Sequence, residues 1–414
     1  MVNKRIGLLV ATLAIVASAC SSGGATTAPQ SAAPAVSEAP ASEAPAASAP
    51  ASAAAGGPCT VGVSWNNFQQ PRWAAHDEPN IKDTVEAGGG SYISKDANLS
   101  TEQQLTDVDT LLSQGANVLI ILAQDPTVIG PAVEKAKAAG VPVIGYDRLI
   151  EDPDVLYVTF DNTGVGTLEA EAIMAKVPEG NYVLIKGDPG DPNASTFLPA
   201  GWDAAGLKEA VDAKKITILN GPEGGSGEWP KDYGTYTKAW DTTTATNNME
   251  AIIDKAVADG TTIDAVLAEN DSTALGVAAA LTGKNYDPYP PISGQDGDPA
   301  NLNNVAKGLQ YVDVWKNANE LGKAAGAAAL ALCAGGDMAT LTLPDGLIDP
   351  AIAPAAGLTA QPFTTPGGNT VNSFTLIPTP LTAENLQLAV DAGQTTKEDL
   401  CAGVDAATAP EACK

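Results

Sequence analysis

The chain has 414 residues, with 49 acidic against 22 basic side chains and a formal net charge of −27. That balance repels phosphate backbones and excludes nonspecific nucleic-acid binding, while the length leaves room for two lobes with substantial cores. A single histidine, His76, argues against zinc enzymes with imidazole ligands and against Ser-His-Asp hydrolases, since both need imidazole in a defined role.

Lys4 and Arg5 precede an apolar run over 6–16, long enough for the core of a signal peptide and short for a bilayer span. The run ends in Ala17-Ser18-Ala19-Cys20, the small-residue pattern of a lipobox, with Ala17 where Leu or Val is more usual. Residues 1–20 therefore read as a lipoprotein signal peptide, with Cys20 as the lipidated first residue of the mature chain. Losing Lys4 and Arg5 takes the charge from −27 to −29. From 21 to 57 the chain is Ala, Ser, Pro and Glu with almost no large apolar residue, and such a segment cannot bury enough surface to offset its ordering entropy. It reads as a disordered tether that keeps a soluble domain near its membrane partner at raised effective concentration. No second long apolar run follows.

Cys59, Cys333, Cys401 and Cys413 remain, an even number in an oxidising compartment, which allows two disulfides in three pairings. Their spacings fit no metal motif. Cys401 and Cys413 close a short C-terminal loop and are expected to pair, a staple worth about 3 kcal/mol in the loop-entropy model; Cys59 and Cys333 are then paired or free.

From Cys59 onward, short continuous apolar runs alternate with amphipathic stretches, as strands buried on both faces should. The strands of the first half read at 61–65, 118–122, 141–146 and 155–160. Ser100 with Gln103 makes a capping-box start to a helix ending near Gly115, and a helix over 127–139 stops at Gly140 before Pro142. The series repeats with strands at 182–186, 216–219, 265–268 and 291–294, separated by helices such as 247–258 and 272–281. This is an α/β chain of two similar lobes, each a doubly wound parallel sheet. His76 falls in the first helix and reads as a surface or helix-face residue.

Ligands of open parallel sheets bind beyond the carboxyl ends of the strands. The residues there are Asn66, Asn67, Phe68, Arg72 and Trp73; Gln124 and Asp125; Asp147 and Arg148; Asp161 and Asn162. The second half supplies Asp188, Asp191 and Asn193, then Asn270 and Asp271, Gln295 and Asp296, and Trp315, Lys316 and Asn317. Each one singly could be a helix cap or an ordinary polar loop residue. Their recurrence at one set of strand ends, with indoles among them, points to a shared polyol site. A pyranose has vicinal hydroxyls that donate and accept at once, which Asp, Asn and the Arg fork pair in bidentate fashion, and C–H faces that stack on indole. Trp73 and Trp240 are the stacking candidates; Trp202 and Trp229 read as core.

Pro71-Arg72-Trp73, Gly145-Tyr146-Asp147-Arg148-Leu149-Ile150, Thr159-Phe160-Asp161-Asn162, Gly187-Asp188-Pro189 with Asp191 and Asn193-Ala194, Ser293-Gly294-Gln295-Asp296 and Val314-Trp315-Lys316 occur in that order. With them the chain resembles the periplasmic sugar-binding proteins of ABC importers, in the xylose-binding and glucose/galactose multiple-sugar-binding branch. The resemblance runs from about residue 59 to the end. It implies a two-lobed type I periplasmic-binding-protein fold with three hinge crossings, near 160–163, near 314–317 and near Phe374. The lobes would comprise 58–161 with about 317–373, and 162–316 with about 374–414. It implies Arg72, Asp147 and Arg148 as sugar ligands with Trp73 stacking, Asp191, Asn193, Trp240, Asn270 and Asp296 from the second lobe, and Lys316 near a hinge. Departures from the family pattern are Pro192-Asn193 in place of two Asn, a longer stretch at 221–238, and an apparent insertion at 337–372.

The resemblance implies a monomeric, extracytoplasmic binding protein without a cofactor, whose partners are a monosaccharide, a permease and the membrane through its anchor. Two other readings exist: a receptor of the same fold reporting to a sensor kinase, and a glycosidase using Asp147 and Asp296. The second conflicts with an Arg-rich pocket, because a general acid needs an apolar environment to raise its pKa. Gly164-Val165-Gly166 lacks the third glycine of a nucleotide loop.

Overall fold

The computed structural model describes residues 58–222, 224, 226–354 and 357–414. The expected signal segment with Cys20 and the tether over 21–57 lie outside them.

The first lobe is built on β1 (Thr60–Trp65), β2 (Ser91–Asp96), β3 (Val118–Ile121), β4 (Val143–Tyr146) and β5 (Val155–Phe160). Every residue of β3, β4 and β5 is buried, which is why these strands read as unbroken apolar runs. The five are parallel, and their sheet order is completed by two later strands. One face packs on helices Glu78–Ala87 and Ala318–Cys333, the other on Thr101–Ser113 and Gly130–Ala138, each over its own apolar cluster. Ser100 Oγ accepts from the Gln103 N–H at 3.1 Å, but the Gln103 side chain turns to Asp107 at 2.8 Å, so only half of the capping box forms.

The second lobe carries β6 (Gly180–Lys186), β7 (Ile216–Ile218), β8 (Thr235–Tyr236), β9 (Ala265–Ala268) and β10 (Asp313–Trp315). Strand β6 pairs in parallel with β7, β8 and β9. The expected strand at 291–294 is reduced to a single bridge from Ile292 to Val266. Helices cover both faces again, with Asn162–Lys176 and Leu198–Ala204 on one and Thr242–Asp259 and Asp271–Gly283 on the other. Gly166 belongs to this packing: a Cβ there would meet the Leu198 carbonyl oxygen at 2.2 Å, so the glycine serves close helix contact.

The chain passes between lobes after β5 and after β10. The third passage comes later than expected at Phe374. β11 (Gln361–Thr364) and β12 (Thr370–Leu376) complete the first sheet, in the order β11-β12-β5-β4-β3-β1-β2, with Phe374 opposite Val158. Only at β13 (Thr379–Leu381), antiparallel to β10, does the chain join the second lobe. The sheets are thus parallel except where β11 and β13 are added at their edges. Leu341, Leu343, Ile348 and Ile352, from the apparent insertion, complete the first-lobe core.

Both disulfides are formed. Cys401 joins Cys413 in the C-terminal loop, and Cys59 joins Cys333, tying the start of β1 to the end of helix Ala318–Cys333. No helix among the described residues is long and apolar enough to cross a membrane.

Candidate functional site

The strands of both sheets end at one cleft, and a cavity with about 330 Å³ of space free of protein atoms lies between them. It is lined by Arg72, Trp73, Asp147, Arg148, Asp191, Asn193, Trp240, Asn270, Asp296 and Lys316, with Gln70 and Gln295. The structure therefore brings all ten candidate binding residues to one place. Gln70 was not legible as a member: an isolated glutamine in a loop carries no chemical signal, and only its place between Asn66 and Arg72 hinted at it.

Arg72 is the central charge, 1% exposed. Its Nε and Nη2 donate to the two carboxylate oxygens of Asp77 at 3.1 and 2.9 Å, and Tyr146 Oη donates to Asp77 at 2.5 Å. Its Nη1 donates to Asp296 across the cleft at 2.8 Å and lies 3.4 Å from Asp147. Burial opposes the guanidinium charge, but Asp77, Asp147 and Asp296 outweigh it and hold its pKa well above the usual value. Burial pushes the Asp77 carboxyl up, against the pull of Arg72 and Tyr146.

Asp147 is buried too, yet Lys316, Arg72 and Arg148 together outweigh burial and hold its carboxyl below the usual range. Lys316 Nζ sits 3.4 Å from both Asp147 and Asp296. Arg148 donates through Nη1 to the Ala123 carbonyl at 3.2 Å and through Nε approaches Asp191 of the second lobe at 3.0 Å. Burial raises the Asp191 carboxyl, and Arg148 pulls it back.

Trp73 donates from Nε1 to Gln70 Oε1 at 3.1 Å, while Gln70 Nε2 donates across the cleft to the Ala239 carbonyl at 3.2 Å. The Arg72 guanidinium lies 4.3 Å from the Trp73 ring centroid. On the opposite wall, Trp240 lies against Gly187, where a Cβ would meet the indole at 2.1 Å; no other residue fits there without moving the ring. Asp147, Trp240 and Asp296 all sit at positive φ, at 59°, 57° and 109°. Non-glycine residues there hold strain of order 1–3 kcal/mol each, which persists only where the surroundings fix it.

Many of the other polar loop residues prove to be local braces. Asp161 and Asn317 cap helices Asn162–Lys176 and Ala318–Cys333. Asn67 and Asp125 accept from backbone N–H groups two residues on, and Asp188 from Gly190 and Ala239. Asn270 both lines the cavity and caps helix Asp271–Gly283. Trp202 is core, donating to Glu169 at 3.1 Å. His76, expected as a surface or helix-face residue, lies on a helical turn but faces inward: it is 8% exposed and its Nδ1 is hydrogen-bonded to Asn319 Oδ1 at 3.0 Å, because the later helix Ala318–Cys333 covers it. Burial lowers its pKa.

The lining groups Arg72, Arg148 and Lys316 balance Asp147, Asp191 and Asp296, so the cavity presents fork-shaped donors and acceptors with no net charge. Asn193 Oδ1, Gln295 Oε1 and Trp240 Nε1 are buried and unpaired within the protein, an unmade complement of two acceptors and one donor. This arrangement suits a neutral ligand rich in hydroxyls. Among the described residues no cluster of His, Cys, Asp and Glu could hold a metal ion.

The sequence model of the periplasmic binding protein domain matches residues 61–337. The chain is 32% identical to the D-xylose-binding periplasmic protein of Escherichia coli over 291 residues, covering 70% of this chain and 82% of that protein. It is 30% identical to the multiple sugar-binding periplasmic receptor of Rhizobium radiobacter over 276 residues, 64% of this chain and 75% of the receptor. Among solved structures, an ABC transporter solute-binding protein from Clostridium phytofermentans with bound β-D-glucose superposes with a TM-score of 0.69 at 31% identity, over 82% of this chain and 99% of that one. The chain belongs to the periplasmic binding protein family of ABC importers, in its sugar-binding branch with the xylose-binding and multiple-sugar-binding proteins.

Proposed function

We propose that this protein is an extracytoplasmic, lipid-anchored solute-binding protein that captures a monosaccharide of the xylose, glucose or galactose type by hinge closure and delivers it to an ABC permease. The observation that carries the ligand class is the charge-balanced cavity itself: two guanidinium forks, one ammonium and three carboxylates between two indoles, a complement to ring hydroxyls and C–H faces. Arg72, Asp147 and Arg148 would hold the sugar from the first lobe with Trp73 stacked on it. Asp191, Asn193, Trp240, Asn270 and Asp296 would close from the second, with Lys316 at the crossing. The moving bodies are residues 58–161 with about 317–376, and 162–316 with about 377–414. Their closure presents a new surface to the permease, with the chain acting as a monomer and Cys20 holding it to the membrane. This is binding without chemistry.

A thermal-shift and calorimetric screen of D-xylose, D-glucose and D-galactose tests the ligand. A sugar that binds only the folded chain at a hundredfold excess over Kd adds about 2.7 kcal/mol of stability. No response to any monosaccharide would overturn the reading. Uptake of the same sugar in a deletion strain tests delivery, and mass spectrometry of the membrane fraction tests lipidation at Cys20.

A further inference from the structure

Beside the cavity, Leu149, Tyr157, Phe197, Val371 and Phe363 form a small apolar cluster apart from the lobe cores. Its members come from both lobes. Leu149 follows Arg148, and Tyr157 lies on β5. Phe363 and Val371 face each other across the β11–β12 hairpin. Phe197 ends the short π-helical turn Asn193–Phe197 of the second lobe. The Phe363 ring stands edge-on to Tyr157 at 5.6 Å and to Phe197 at 5.8 Å, which makes it the shared member.

Each contact reaches a cavity residue. Tyr157 Oη donates to the Asp147 carbonyl at 3.1 Å, Leu149 adjoins Arg148, and the turn ending in Phe197 begins at Asn193, two residues after Asp191. The ion pair between Arg148 and Asp191 beside this cluster has side chains only 7% and 4% exposed. The hairpin that brings Phe363 lies beyond residue 337, where the family match ends. In the closure proposed above Phe197 moves with the second lobe while Phe363 stays with Tyr157 and Val371 on the first, so the Phe363–Phe197 contact crosses between the moving bodies.

We propose that Phe363 is a positioning residue for closure: the β11–β12 hairpin presents it as an aromatic clasp that meets Phe197 across the cleft, excludes water from the Arg148–Asp191 pair and stabilises the closed state. The inference rests on the ligand-closure reading above. An edge-on aromatic pair corresponds to about a three- to tenfold change in Kd, and a dry ion pair is stronger than a wet one.

The test uses the full chain. In Phe363→Ala, calorimetry with D-xylose and D-glucose is expected to show about three- to tenfold weaker binding, with the loss appearing as faster release in stopped flow. Phe197→Ala combined with Phe363→Ala should be no weaker than the worse single variant, because both remove one contact. Spin labels at Ser113→Cys and Glu209→Cys, exposed on different lobes, should report a more open sugar-free population when Phe363 is lost. Phe363→Leu, which keeps the apolar contact with Val371, should act in the same direction if the alanine variant does not fold. Unchanged affinity and spacing, or strictly additive losses in the double variant, would overturn the clasp. If the wild-type chain binds none of the monosaccharides in the screen, the ligand reading falls, and the label distances still decide the clasp: widening supports it and an unchanged distribution overturns it.

Discussion

The two walls of the cavity are built differently. On the first lobe each charged group is fixed from behind. Asp77 and Tyr146 lock Arg72, the Asp147 carbonyl accepts from Tyr157 and Thr159, and Arg148 donates to Ala123. On the second lobe the carboxylates take their ionic partners from across the cleft: Asp296 accepts from Arg72 and Asp191 pairs with Arg148, while Asp191 also accepts from the Asn193 N–H of its own lobe at 2.9 Å. The unpaired lining atoms Asn193 Oδ1, Trp240 Nε1 and Gln295 Oε1 are all on this side. The first wall is therefore preorganised while the cleft is open, and the second completes its bonds on closure. A ligand that selects the closed state draws its differential binding from the second wall.

Removing Arg72 should break this contrast most severely. Arg72→Ala leaves Asp77, Asp147 and Asp296 without their shared cation in a buried site, a change that costs about 3–5 kcal/mol. Thermal unfolding of the sugar-free variant should fall by several degrees, and sugar binding should vanish in calorimetry. A variant as stable as wild type would show that Asp77 does not depend on Arg72. Arg148→Ala sharpens the contrast, since its ionic partner lies on the other lobe. Here Kd should rise roughly thirtyfold or more, from about 2–5 kcal/mol, while the sugar-free melting temperature and circular dichroism stay put. Near-normal affinity would make Arg148 a structural brace.

A smaller effect is expected at Gly187. Gly187→Ala forces its Cβ into the Trp240 ring at 2.1 Å without touching a charge. Overpacking of this kind costs about 1–3 kcal/mol. Affinity should drop with the stacking geometry, and indole fluorescence in the presence of sugar should change. Retained affinity would place the sugar away from Trp240.

How much of this was readable from sequence depended on how many faces an element buries. Strands β3 and β5 announced themselves as apolar runs. The edge strands did not. β2 is Ser-Tyr-Ile-Ser-Lys-Asp with no fully buried residue, and β11 carries Pro362 on an edge where a missing donor is harmless. Cavity residues were legible because Asp, Asn, Arg and Trp recur at strand ends. Their supports were not: Tyr146 bonding Asp77 joins residues 69 positions apart, and only the folded topology brings them together. Which way the helical turn bearing His76 faces was hidden for the same reason, as the helix that buries it begins at Ala318.

The same contrast extends to pH. Beneath the second wall, burial pushes the carboxyls of Glu169, Glu269, Asp271 and Asp313 well above the usual range, and Asp298 up to about 7, with Asp296 adding to the shift. A carboxyl with a raised folded pKa binds its proton more tightly in the native state. Its stabilising contribution is complete below the unfolded value of about 4 and is lost as pH rises through the folded value. Asp147 on the first wall has the opposite sign: its contribution is present above about pH 4 and is lost only as pH falls through its lowered pKa. Sugar-free protein should therefore melt at progressively lower temperature from about pH 5 to about pH 8, a modest decline set by the second lobe. Asp298→Asn should remove its share of that decline between about pH 4 and about 7, leaving the acid limb unchanged. Scanning calorimetry across that range decides it: a melting temperature that climbs with pH, or an unaltered slope in the variant, would mean that Asp298 is ionised in the native lobe and that its burial is compensated by a partner.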